Sequence, residues 1–146
     1  GMFYGCRSLV KAPELPSSNI TGSTACYCLM FNGCTSLQKA PNLPAVDFSN
    51  SDHCYNGMFM GCTSLKKGPE LPAIRLNSNG CYNRLFEGCS DLNYIKAMFK
   101  SIPNEGITMD WTKGVSENGT FVKNNEATWE IFGDDGIPNG WAVKSV

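Results

Sequence analysis

Apolar residues in the second quarter of the chain follow a fixed spacing. Cys54, Tyr55, Met58, Phe59 and Cys62 stand at i, i+1, i+4, i+5 and i+8, with polar residues and glycine filling most of the gaps. That pattern predicts one face of a helix of about two and a half turns. Ser51 and Asp52 precede it as N-cap candidates. Gly61 stands where a helix commonly ends in a left-handed residue. Ser64-Leu65-Lys66-Lys67-Gly68 then reads as a short extended stretch. Pro69 has no N–H to give to a central ladder, so the strand is expected to stop there. Leu71, Ile74 and Leu76 carry the chain back toward the next helix.

The same unit recurs. Met2-Phe3-Tyr4-Gly5-Cys6-Arg7-Ser8-Leu9, Met30-Phe31-Asn32-Gly33-Cys34-Thr35-Ser36-Leu37, Met58-Phe59-Met60-Gly61-Cys62-Thr63-Ser64-Leu65 and Leu85-Phe86-Glu87-Gly88-Cys89-Ser90-Asp91-Leu92 align without a gap. Cys6, Cys34, Cys62 and Cys89 follow at steps of 28, 28 and 27. Cys26-Tyr27, Cys54-Tyr55 and Cys81-Tyr82 keep the same step, as do Ala12-Pro13, Ala40-Pro41 and Gly68-Pro69, each pair leading to Leu-Pro. Ile20, Phe48 and Leu76 form a further series. One such unit cannot bury its apolar face alone, so the copies are expected to stack. The expected fold class is therefore an α/β repeat, with short parallel strands on one face and short helices on the other. Phe3, Phe31, Phe59 and Phe86 should stack inside, and so should Leu9, Leu37, Leu65 and Leu92. Lys11, Lys39, Lys67 and Tyr94 share register and should point outward from the strand face.

A helix, then Phe-x-Gly-Cys-x-x-Leu, then a Pro-rich extended segment resembles the BspA-like leucine-rich-repeat surface proteins of host-associated bacteria. The resemblance covers residues 2–99. It implies a right-handed leucine-rich-repeat solenoid, a location on the cell surface or outside the cell, and a host glycoprotein or matrix protein as partner. In this chain the unit is longer than is usual for that class. Ala-Pro or Gly-Pro also stands where that class carries an Ile-x-Ile strand.

Residues 1–99 are thus read as a four-unit array and residues 100–146 as a C-terminal cap. In the tail the period is lost. Residues 119–123 and 140–144 read as two short strands, with turn chemistry in Asp134-Asp135-Gly136 and Pro138-Asn139-Gly140. Trp111, Trp129 and Trp141 are expected to pack on the last repeat. The stretch from Trp111 to Val122 also resembles tails of the same family. The chain opens inside a repeat, at Gly1-Met2-Phe3, which suggests a piece of a longer polypeptide.

Composition narrows the function classes. A hydrophobic fraction of 42% is ample for a core, and Gly and Pro, 15 and 8 residues, supply many turns. A net charge of −1 argues against broad nucleic-acid binding. No apolar run is long enough to cross a bilayer, so membrane insertion by this segment is not expected.

Eight cysteines invite a disulfide or metal reading. Seven of them belong to the two repeat-locked series, which places them as small hydrophobes in core ladders. On a helix, Cys54 and Cys62 would be separated by roughly 12 Å of rise, and neighbouring helices stand roughly 8–10 Å apart. Both distances exceed what a disulfide spans. Cys28 lies outside the series; a Cys26–Cys28 bridge or metal site would lack the second pair that zinc needs. His53 has no acid or nucleophile at a catalytic spacing, so it reads as an exposed loop residue. Asp134 and Asp135 lack calcium-loop spacing and read as a turn. Asn19-Ile20-Thr21 and Asn118-Gly119-Thr120 match the glycosylation sequon.

No catalytic, cofactor or metal residue emerges. Lys11, Lys39, Lys67 and Tyr94 are the partner-binding candidates, with Glu14 and Glu70 placed to offset their charge. The expected function is a non-catalytic, adhesin-like binding module for a protein partner. A structural spacer in a larger surface or fibre protein, or an accessory domain of a surface enzyme, is the alternative.

Overall fold

The computed structural model describes residues 1–16, 20–43 and 47–146. Asn19 of the first sequon and Pro44 of the second proline series lie outside them. Four strands form one parallel sheet in chain order: β1 (Lys67–Leu71), β2 (Tyr94–Ala97), β3 (Thr120–Lys123) and β4 (Ala142–Ser145). Tyr94, Thr120 and Ala142 share one level of the ladder, and Lys67 pairs with Tyr94. Before β1, Lys11 and Lys39 meet in an isolated parallel bridge. The strand does not stop at Pro69. It runs through to Leu71, and the register slips between Lys67 and Glu70 to absorb the missing N–H.

The expected right-handed leucine-rich-repeat solenoid of α/β class, with helices on one face, is overturned. Among the described residues there is no α-helix; the one helical element is a 3-10 turn at Glu105–Ile107. Where helices were expected, each unit forms a flat ribbon of successive turns. The amides of Cys28, Met30, Asn32 and Cys34 bond three residues back, to Ala25, Tyr27, Leu29 and Phe31. The amides between them, Tyr27, Leu29, Phe31 and Gly33, bond instead to the carbonyls of Cys54, Asn56, Met58 and Met60 in the next unit. The same alternation recurs from Tyr55–Gly61 onto Cys81–Glu87, and from Tyr82–Gly88 onto Ile107–Lys113. Half of the amides a helix would use internally are thus spent between units.

Backbone dihedrals explain the choice. Every fourth residue is left-handed: Ala25, Leu29 and Gly33, then His53, Gly57 and Gly61, then Gly80, Arg84 and Gly88. An α-helix cannot admit such a residue each turn. The eight-residue step from Cys54 to Cys62 tells the same story, since eight residues are roughly 2.2 turns of helix but two whole four-residue turns of the ribbon.

Stacked units bury the repeated side chains in columns. Phe3, Phe31, Phe59 and Phe86 lie ring on ring at centroid spacings of 5.4, 5.7 and 5.9 Å. Tyr27, Tyr55, Tyr82 and Trp111 form a second column at 5.7, 6.2 and 6.4 Å. Phe48 meets Tyr55 and Tyr82 edge-on, as the ring quadrupole favours. Leu37, Leu65 and Leu92 are fully buried. In the tail, Phe99 and Phe121 pack on Trp111 and Trp129. Each indole N–H finds a carbonyl: Trp111 on Gly136, Trp129 on Phe99 and Trp141 on Ser116. Asp135 accepts from the Asp110 amide, so the acidic turn serves the backbone.

Candidate binding groove on the strand face

The units set one outward residue of each strand level in a row. Lys11 bridges Lys39, and Lys67 bridges Tyr94. The three lysines are exposed and Tyr94 is half-buried. All four candidates therefore share the outer strand face. Lys39, Lys67 and Tyr94 line an open groove of about 710 Å³, floored by Pro41, Gly68 and Pro69 and bounded by Glu70 and Lys96. Lys11 lies beyond the groove on the same row.

Each acidic residue expected to offset the row has a partner of its own. Glu14 accepts from the Asn42 amide and side chain at 3.3 Å. Glu70 pairs with Lys96 at 3.3 Å. Glu70 lines the same groove as Lys39 and Lys67 but has Lys96 as its ion-pair partner. Among the described residues, no ion pair involves Lys11, Lys39 or Lys67. Lys67 Nζ sits 4.8 Å from the centre of the Tyr94 ring, a cation–π contact worth about 0.5–1 kcal/mol at an exposed site. It fixes the ammonium over the groove wall. Lys96 is a charged lining residue absent from the sequence candidates. Its signal was present, since it stands three residues after Asn93 where earlier units carry proline.

Groups able to do chemistry are scattered. His53 is exposed and its Nδ1 lies 3.3 Å from the Asn56 amide nitrogen, while Asp52 accepts from the Asn79 backbone. Among the described residues, no three His, Cys, Asp or Glu side chains converge to hold a metal. The cysteines are thiols, and Cys34, Cys62 and Cys89 each donate to the carbonyl of the preceding unit's Phe3, Phe31 or Phe59. Burial pushes the Cys62 and Cys81 thiols up to about 12 and holds Cys89 above the usual range. These are structural thiols. No helix among the described residues is long and apolar enough to cross a membrane.

Comparison with family models, with curated proteins and with solved structures finds no match.

Proposed function

We propose that the chain is a non-catalytic protein-binding module, and that its partner docks along the groove beside Lys39, Lys67 and Tyr94. The observation that carries this reading is the pair of groove lysines left without an ion pair beside an open, proline-floored surface. An acidic stretch of a partner would meet Lys39 and Lys67 as it lies on that floor. A cationic surface of this kind acts mainly on encounter rate and orientation. The resemblance of the Phe-x-Gly-Cys-x-x-Leu repeat to BspA-like surface proteins points to a bacterial cell-surface or secreted protein with host glycoprotein or matrix partners. Binding of such proteins to the intact chain and to a Lys39→Glu/Lys67→Glu double variant tests the role of the row. Loss of binding, and a salt-sensitive association rate in the parent, are expected. Equal binding by both would remove the groove from the account.

A spacer role is the second reading. It is favoured by the regular unit-to-unit hydrogen bonding, which resists bending of the stack without any partner.

A further inference from the structure

The change from helix to ribbon brings two thiols together that helices would hold apart. Cys26 and Cys54 are equivalent residues of adjacent units. On either side of them, the Ala25 amide bonds the Asp52 carbonyl and the Tyr27 amide bonds the Cys54 carbonyl, both at 2.9 Å. Backbones joined in this way stand about 4.8 Å apart. Disulfides need Cα atoms at roughly 4.4–6.8 Å. The side chains turn toward each other, with the Cys26 thiol donating to Cys54 Sγ at 3.0 Å. Cys26 is exposed and Cys54 is fully buried.

Cys54 also donates to the Ser23 carbonyl at 2.6 Å, as Cys34, Cys62 and Cys89 donate to the carbonyls of Phe3, Phe31 and Phe59. What sets Cys54 apart is the second sulfur, Cys26, in contact with it. Cys28 is half-buried and makes no sulfur contact with Cys26 among the described interactions. Cys6 is exposed too, but among the described residues the sulfur–sulfur contact is that of Cys26 with Cys54.

We propose that Cys26 and Cys54 are an oxidisable pair that closes, by exchange with a small-molecule disulfide, into a covalent tie between adjacent units. Partial burial and the Cys54 sulfur push the Cys26 thiol up to about 12, so it must first give up its proton to the medium. The resulting thiolate then attacks one sulfur of the oxidant RS–SR, most readily at alkaline pH. A mixed disulfide forms on Cys26 and RS⁻ leaves. Cys54 then loses its proton and attacks Cys26 Sγ, expelling the second RS⁻. Two protein thiols lose two electrons and two protons; the oxidant gains both and departs as two RSH. The order is set by burial, since the oxidant reaches only Cys26. Oxidising compartments outside the cell maintain such bonds, so the tie would lock the unit of Cys26 onto the unit of Cys54.

Incubation of the folded chain with oxidised glutathione tests this. Thiols are counted after quenching and unfolding, and linked peptides are mapped by mass spectrometry. The count should fall by two from the initial eight, with one linked pair carrying Cys26 and Cys54. Cys28→Ser should lose two thiols in the same way. Cys26→Ser, a change at an exposed site that leaves the fold intact by its melting curve, should form no internal bond. An unchanged count, a lasting glutathione adduct on Cys26, or a bond joining any other pair would overturn the proposal.

Discussion

Phe3, Cys6 and Leu9 open the first unit as Phe59, Cys62 and Leu65 open the third stretch of the same motif, yet the two sets meet different surroundings. Phe59, Cys62 and Leu65 are fully buried. Phe3 and Leu9 are half-buried and Cys6 is exposed. Met2 is 78% exposed where Met58 is 0%. The motif places a side chain on the inner face, but burial comes from having a neighbour on both sides. Phe59 has Phe31 below and Phe86 above, whereas Phe3, among the described residues, stacks on Phe31 alone. Stability is therefore expected to be concentrated in the middle of the stack and to fall toward its first unit, in the manner of nearest-neighbour arrays.

The largest expected effect breaks that comparison directly. Phe59→Ala should cost about 3–5 kcal/mol, the usual range for a buried aromatic. Phe3→Ala, half-exposed and contacted from one side, should cost roughly 1 kcal/mol. Urea unfolding of both variants measures the difference. Equal losses would contradict the view that stacking, and not the motif, sets the energy.

Alkali should separate the two regions next. The Cys62 thiol is pushed from 9.0 up to about 12 by burial, and Cys81 likewise. A raised pKa here means that the folded state keeps its proton while the unfolded chain gives it up. Stability from each thiol is complete below pH 9 and drains away as pH rises toward 12, by about 1.4 kcal/mol per pH unit. Melting temperature against pH should fall steeply above 9 in the parent and less steeply in Cys62→Ala. Identical slopes in the two proteins would refute the assignment.

A smaller effect sharpens the ribbon itself, because its sign differs from that of a helix. Leu29, Gly57 and Arg84 are equivalent and all left-handed, with φ of 55°, 57° and 53°. Arg84 is exposed, so its side chain contributes little packing. Arg84→Gly should therefore stabilise by about 1 kcal/mol, relieving the strain of a non-glycine residue there. In a helix the same change would destabilise by a similar amount. Thermal melting of the single variant reads the sign.

The smallest effect is at the groove. Lys39→Glu/Lys67→Glu should alter stability by less than about 0.5 kcal/mol, as surface changes do, while removing partner binding. A large loss of stability would make the row structural.

Much of the inner face was legible in sequence. The register of the repeat put Phe, Cys and Leu inside and the lysine row outside, because any structure of this period must stack equivalent residues. The backbone was not legible by the same route. A helix and a four-residue turn ribbon both place i, i+4 and i+8 on one side over so short a span, so burial alone cannot separate them. The discriminating signals were elsewhere. Gly57 and Gly61 stand four apart, Gly80 and Gly88 eight apart, and each falls on a left-handed position. Reading Gly61 as a helix end found its dihedral and missed that the previous turn ended the same way. The cysteine inference followed the helix, since helices would separate Cys26 from Cys54 by more than a bond can span. The row of outward residues survived because the strand registers, not the helices, determine it. Lys96 has no counterpart in the lysine row, because it stands at the position that carries proline in the earlier units, and its pairing with Glu70 is visible only in the structure.

Scalar couplings across hydrogen bonds, measured by NMR on the isotope-labelled chain, test the central claim most directly. The ribbon predicts a coupling from the Phe31 amide nitrogen to the Met58 carbonyl carbon, and from Tyr27 to Cys54, in the neighbouring unit. A helix predicts instead a coupling from Phe31 to the Tyr27 carbonyl, four residues back. Observation of the long-range pair establishes units joined through their backbones; observation of the local pair would contradict the stack described above.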